Sequence, residues 1–151
     1  MSARQRKSRK PSGTRAERLL DETTFFTDEC LGKHAVADAL RDAGLKIEPW
    51  HAHFPPRTED VVWLPFCGER GWVVLTKDKA IRRVPAEMAK VLSARVRMFT
   101  LTSGSMSGGQ MASVFLGRLR EMARTLAKNP YPFVATVSHS GVEIVCGGPE
   151  S

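Results

Sequence analysis

Two apolar runs in this chain end abruptly in acid. TFFT is followed by Asp28-Glu29, and GWVVLT is followed by Lys77-Asp78-Lys79 with no turn residue between. A third aspartate, Asp60, opens the apolar stretch Val61-Val62-Trp63 that lies between them. If both runs are neighbouring strands of a parallel sheet, Asp28 and Asp78 leave the same edge, and Asp60 joins them from the start of a helix. Carboxylates gathered at one point repel one another unless a cation neutralises them. An all-oxygen donor set favours magnesium or manganese over zinc. Lys77, Lys79, Arg82 and Arg83 beside the third acid suit a phosphate substrate. A divalent ion there would polarise a phosphoryl oxygen and activate water, while the cations hold phosphate and offset transition-state charge. Each residue taken singly also has a plainer role. A lone Asp after a strand caps the next helix, Asp60 suits any helical first turn, and KDKAIRR reads as a solvated charged turn.

The elements that must position these acids are legible as alternating patterns. Thr24 to Thr27 reads as a first strand. Lys33 to Ala43 reads as a helix, with Val36, Ala39, Leu40 and Ala43 at helical spacing and Gly44 placed to stop it. Leu45 to Trp50 is a second strand. After Pro55-Pro56, Thr58 is placed to cap a short helix that Pro65 kinks or ends early. Trp72 to Leu75 is the third strand, Pro85 opens another helix, and Arg97 to Leu101 is the fourth strand. Ser107-Gly108-Gly109-Gln110 has the form of a capping box before a long apolar stripe from Met111 to Leu126, which predicts the longest helix. Phe133 to Val137 and Val142 to Cys146, joined by HSG, predict a hairpin. Strands alternating with helices imply an α/β sandwich with a mainly parallel sheet. A 2-1-3-4 strand order would put the first and third strands side by side, with ligands beyond their carboxyl ends where the order reverses.

With 151 residues the chain suits one domain. Its formal charge of +7 is concentrated at the start, where residues 1–15 carry Arg4, Arg6, Lys7, Arg9, Lys10 and Arg15 and no acid. The expected division is a basic disordered arm over 1–22, the domain over 23–147, and a short tail over 148–151. The arm could attract nucleic acid in a salt-sensitive way or merely solubilise the chain. Cys30, Cys67 and Cys146 are odd in number and widely spaced, which fits neither a disulfide framework nor a zinc site and points to a reducing cytoplasm. His51 and His53 read as loop or strand-edge residues. The apolar runs are too short to span a membrane, and no secretory h-region follows the basic start.

FFTDECLGKHAVADALRDAG followed by TEDVVWLPFCGERGWVVLTKDKAIRRVPAEM resembles the PIN-like nuclease family, nearest to the short bacterial subgroup allied with the toxins of virulence-associated toxin–antitoxin pairs. The resemblance covers about residues 24–145. It implies a three-layer α/β/α sandwich and a magnesium- or manganese-dependent site that cuts RNA. By motif position it implies Asp28, Asp60 and Asp78 as catalytic and metal-holding acids, with Thr76 as the orienting threonine of the T-x-D element. A further acid is common near the next strand of such proteins, but here that strand runs into Leu101-Thr102-Ser103-Gly104. Glu29 or Glu87 would have to substitute. The resemblance also implies an antitoxin partner and a homodimer. Two rival readings remain at this point: a PIN-like module that binds RNA or protein without cutting, and a receiver-like phosphoacceptor domain. The second needs a lysine after its fifth strand, which PFVATVSHSG does not supply.

Overall fold

A computed structural model describes residues 14–103 and 105–147, with Arg82 described by its backbone alone. The apolar runs become six strands: β1 (Thr24–Thr27), β2 (Lys46–Pro49), β3 (Val73–Thr76), β4 (Arg97–Leu101), β5 (Phe133–Ser138) and β6 (Gly141–Gly147). They form one sheet in the order β2-β1-β3-β4-β5-β6, parallel except for β6, which pairs antiparallel with β5 through the expected hairpin. The predicted 2-1-3-4 order is therefore present. The chain runs outward from β1 to β2 and then returns past β1 to β3, so the order reverses between β1 and β3.

Among the described residues seven α-helices cover the sheet: α1 (Arg15–Glu22), α2 (Ala35–Asp42), α3 (Asp60–Arg70), α4 (Lys79–Arg83), α5 (Pro85–Ser93), α6 (Gly108–Gly117) and α7 (Leu119–Lys128). Successive strand residues point to opposite faces, so each continuous apolar run feeds two cores. Phe25, Val73, Leu75, Phe99 and Phe133 pack on one side with Leu20, Val36, Leu40, Phe115 and Met122. Phe26, Val74, Met98 and Val134 pack on the other with Trp63, Leu64, Cys67 and Val91. This is the three-layer α/β/α sandwich. Full burial of each large apolar side chain is worth about 1.5–3 kcal/mol, which makes the strand ends a stiff platform. Among the described residues no helix is long and apolar enough to cross a membrane.

Several local expectations are corrected. The basic arm does not extend to residue 22, because Arg15–Glu22 is helical. Thr14 and Glu17 form a reciprocal capping box, each accepting the other's backbone N–H at 3.1 Å, and Leu20 is buried among residues that include α7. The remaining arm and tail positions, 1–13 and 148–151, lie outside the described residues. Thr58 does not cap α3. Its hydroxyl donates to the Pro55 carbonyl at 2.8 Å, and Glu59 precedes the helix without a side-chain cap. Nor does Pro65 stop α3, which continues to Arg70 and ends on Gly71 at φ 69°. Proline removes the N–H that would reach back toward Val61 and crowds that carbonyl, but Val61 lies at the exposed first turn of the helix. The single long helix after Ser107 is two helices, parted at Arg118, where the poor helix former Gly117 ends α6. The Ser107–Gln110 capping box is present as expected.

Candidate active site

The β1–β3 pairing sets the geometry. Phe25 lies opposite Val73 and Thr27 opposite Leu75, and the ladder continues past β1 because the Asp28 N–H donates to the Leu75 carbonyl at 3.0 Å. Asp28 therefore emerges beside Thr76, on the face shared by Phe26 and Val74. Thr76 is completely buried, and its hydroxyl donates to Asp28 Oδ2 at 2.7 Å while accepting the Asp78 N–H at 3.2 Å. One hydroxyl thus joins the acid after β1 to the backbone of the acid after β3. Both acids also carry out the plainer task foreseen for them. Asp28 Oδ1 accepts the Glu29 N–H at 2.7 Å at the head of a 3-10 turn, and Asp78 Oδ1 accepts the Ala80 N–H at 2.9 Å at the head of α4.

Burial pushes the Asp28 carboxyl above its ordinary value, and the charge of Asp78 adds to that rise. The hydrogen bonds from Thr76 and Glu29 oppose it. Cys30, two positions beyond Asp28, reaches into the same place. Its sulfur lies 3.2 Å from Thr76 Oγ1 and 3.5 Å from Asp28 Oδ2, and it accepts the Lys77 N–H at 3.4 Å. Cys30 is an exposed residue, but its sulfur is turned in against Asp28 and Thr76; desolvation there first, and Asp28 second, push this thiol up to about 12, so it is protonated at neutral pH. The sequence reading counted Cys30 only as a free thiol.

Asp60 stands in different company. Trp63 Nε1 donates to Asp60 Oδ1 at 3.1 Å, and Lys90 Nζ lies 3.8 Å from Asp60 Oδ2 and 3.0 Å from Glu87 Oε2. Burial raises the Asp60 carboxyl, with Glu87 adding to the rise. Asp60 and Lys90 line a groove of about 550 Å³ between α3 and α5 that neither Asp28 nor Asp78 lines. Among the described residues no group of three or more His, Cys, Asp and Glu side chains could hold a metal ion. In place of three carboxylates around one point, Thr76 links the Asp28 carboxylate to the backbone of Asp78, while Asp60 and Glu87 are tied to Lys90. Lys90 and Trp63 were missed in the sequence. Their spacing of three residues from Glu87 and Asp60 was the available signal.

The other candidates are distributed around the pair. Glu29 Oε1 accepts the backbone N–H of Arg57 at 3.0 Å, fastening the loop before α3 to the exit of β1. Arg57 holds φ at 61°, a left-handed conformation costly for a non-glycine residue, and this bond is one of the contacts that holds it there. Lys79 and Arg83 are exposed on α4, and Lys77 is half-buried at its approach. Arg82 lies in the same helix. His53 pairs with Glu48 at 2.7 Å and His51 sits in the 3-10 turn after β2, in loop roles as foreseen.

Comparison with known proteins places the chain in a family. The family described as "PIN like domain" matches residues 23–103, which span β1 to the exit of β4. A protein named "Putative ribonuclease VapC45" from Mycobacterium tuberculosis is 31% identical over 128 residues, covering 82% of this chain and 92% of that protein. No solved structure matches the chain. The family match and the long relative lead to one assignment: this chain belongs to the PIN-like domain family and is of the VapC type.

Proposed function

We propose that the protein is a magnesium- or manganese-dependent endoribonuclease that acts as the toxin of a toxin–antitoxin pair. The observation that carries this reading is the meeting of Asp28 and Asp78 across the Thr76 hydroxyl, at the edge of the sheet where ligands of such folds bind. The relative's name as a ribonuclease supports the substrate class. The donor chemistry fits a hard cation. The Asp28 and Asp78 carboxylates are hard oxygen donors, Asp28 is raised by burial and further by the charge of Asp78, and magnesium is commonly held by one or two carboxylates with water and phosphate completing its shell.

Such an ion supplies Lewis-acid polarisation of a phosphoryl oxygen and activation of water. The chain's own residues prepare the ground for it. Thr76 fixes the rotamer of Asp28 and donates to its carboxylate. The head of α4 fixes Asp78. Lys77, Lys79, Arg82 and Arg83 follow in the same turn and helix, and in this reading they hold the RNA phosphates on either side of the scissile bond. Asp60 and Glu87, held by Lys90 at the neighbouring wall, are in this reading the further acids that would help Asp28 and Asp78 hold the ion. Glu29 keeps the adjoining loop in place. A homodimer, an antitoxin protein and a cytoplasmic setting complete the proposal, the last in keeping with three unpaired cysteines.

The test is cleavage of an RNA oligonucleotide set by the full chain in magnesium or manganese. Asp28→Asn and Asp78→Asn should each abolish cutting while circular dichroism and melting remain those of a folded protein. Cutting that persists in excess EDTA, or in either variant, would refute the mechanism. RNA binding with no cutting under any metal would favour the alternative of a catalytically reduced module, a reading to which the engagement of Asp60 with Lys90 gives some weight. Family membership sets the receiver-like reading aside.

A further inference from the structure

The Cys30 thiol is the part of this site that the proposed function leaves without a role. It stands on the 3-10 turn that follows Asp28, yet all its polar contacts beyond Asp28 are with residues at the end of β3 and just past it. The donors and acceptors can be assigned one by one. The Thr76 hydroxyl spends its hydrogen on Asp28 Oδ2 at 2.7 Å, so toward Cys30, at 3.2 Å, it accepts. The sulfur accepts the Lys77 N–H at 3.4 Å, and its own hydrogen is directed to Thr76 Oγ1 or to Asp28 Oδ2 at 3.5 Å. The two backbone N–H groups that leave β3, those of Lys77 and Asp78, are therefore taken up in succession by Cys30 and Thr76.

We propose that Cys30 is a positioning residue: its thiol clamps the exit of β3 to the exit of β1 and so aims Asp78 and Asp28 at each other. Its consequence for catalysis rests on the nuclease reading, whereas the clamp itself rests on the hydrogen bonds alone. A thiol suits the task because it donates and accepts at once. Alanine at this place leaves the Lys77 N–H without its acceptor and frees the β3 exit to swing away from Asp28. Serine keeps both hydrogen-bonding capacities at slightly shorter reach.

The experiment compares the full-length wild type with Cys30→Ala and Cys30→Ser. Amide hydrogen exchange at Lys77 should quicken by about tenfold in the alanine variant and return most of the way in serine. Manganese alone, titrated by calorimetry, should bind about tenfold more weakly to the alanine variant, the scale typical of groups that orient ligands. In cleavage, kcat should fall with KM for RNA little changed, and serine should recover most of the loss. Unchanged Lys77 exchange in Cys30→Ala, or a serine variant as defective as alanine, would overturn the clamp. If the wild type neither binds manganese nor cuts RNA, the nuclease reading fails, and Lys77 exchange still decides the clamp by itself.

Discussion

Replacing Thr76 by valine keeps the shape of the side chain and deletes one hydroxyl, which makes it the sharpest probe of the site. That hydroxyl is fully buried, donates to Asp28 Oδ2 at 2.7 Å and accepts the Asp78 N–H at 3.2 Å. A hydrogen bond to a charged group contributes about 1.5–3 kcal/mol, which corresponds to about ten- to a hundredfold or slightly more in rate if it is made in the transition state. The same deletion leaves the Asp78 N–H of this part-buried bond without its acceptor, so metal-free stability should fall by about 1–3 kcal/mol. The hydrogen bond from Thr76 holds the Asp28 carboxyl down against burial, so its loss lets that carboxyl rise further. The acidic limb of the cleavage profile should accordingly move to higher pH. The assay is single-turnover cutting of one RNA substrate across a pH series, run beside Thr76→Ser, which restores the hydroxyl and should behave as wild type. A valine variant within about twofold of wild type, with its acidic limb unmoved, would refute the reasoning.

Two further outcomes follow from other features. Because the folded-state Asp28 carboxyl is raised above its ordinary 3.8, the folded chain holds that proton more tightly than the unfolded chain. The stability it contributes is present below the unfolded value and is lost as pH rises through the folded value. Asp28→Asn escapes this loss, so its metal-free melting temperature should gain on wild type as pH rises above about 4; a difference that stays constant as pH rises would contradict the assignment. Gly68→Ala tests the α3–α5 contact. The new Cβ would fall 1.8 Å from the Ala94 carbonyl oxygen, a backbone atom that cannot rotate aside, so a loss near about 3 kcal/mol and a melting drop of about 6–12 °C are expected by calorimetry.

Much of this arrangement could be read from the chain because parallel strands buried on both faces appear as unbroken apolar runs, and TFFT and WVVLT are such runs. Their ends fixed where Asp28 and Asp78 would emerge. What could not be read depended on packing between distant segments. Lys90 faces Asp60 only because α3 and α5 lie together, and no local pattern announces that meeting. The role of Cys30 needs the β1–β3 register, since its partners Thr76 and Lys77 are remote in sequence. The first helix was hidden by its charge: RAERLLDE looks like a solvated tail until Leu20 finds the core beside α7. The break at Arg118 was hidden for the opposite reason, because the apolar stripe of Phe115, Leu119, Met122 and Leu126 carries straight across it.

The grip of Glu29 on the Arg57 backbone has a mechanical consequence. Only Thr58 and Glu59 separate Arg57 from Asp60, so the stretch that carries Asp60 is moored next to the residue that carries Asp28. Electrostatically the two acid clusters are strangers, yet they hang from a single short tether. A displacement of the β1 exit would bear on the head of α3 through this one bond, and a shift of α3 would bear in turn on the turn behind Asp28.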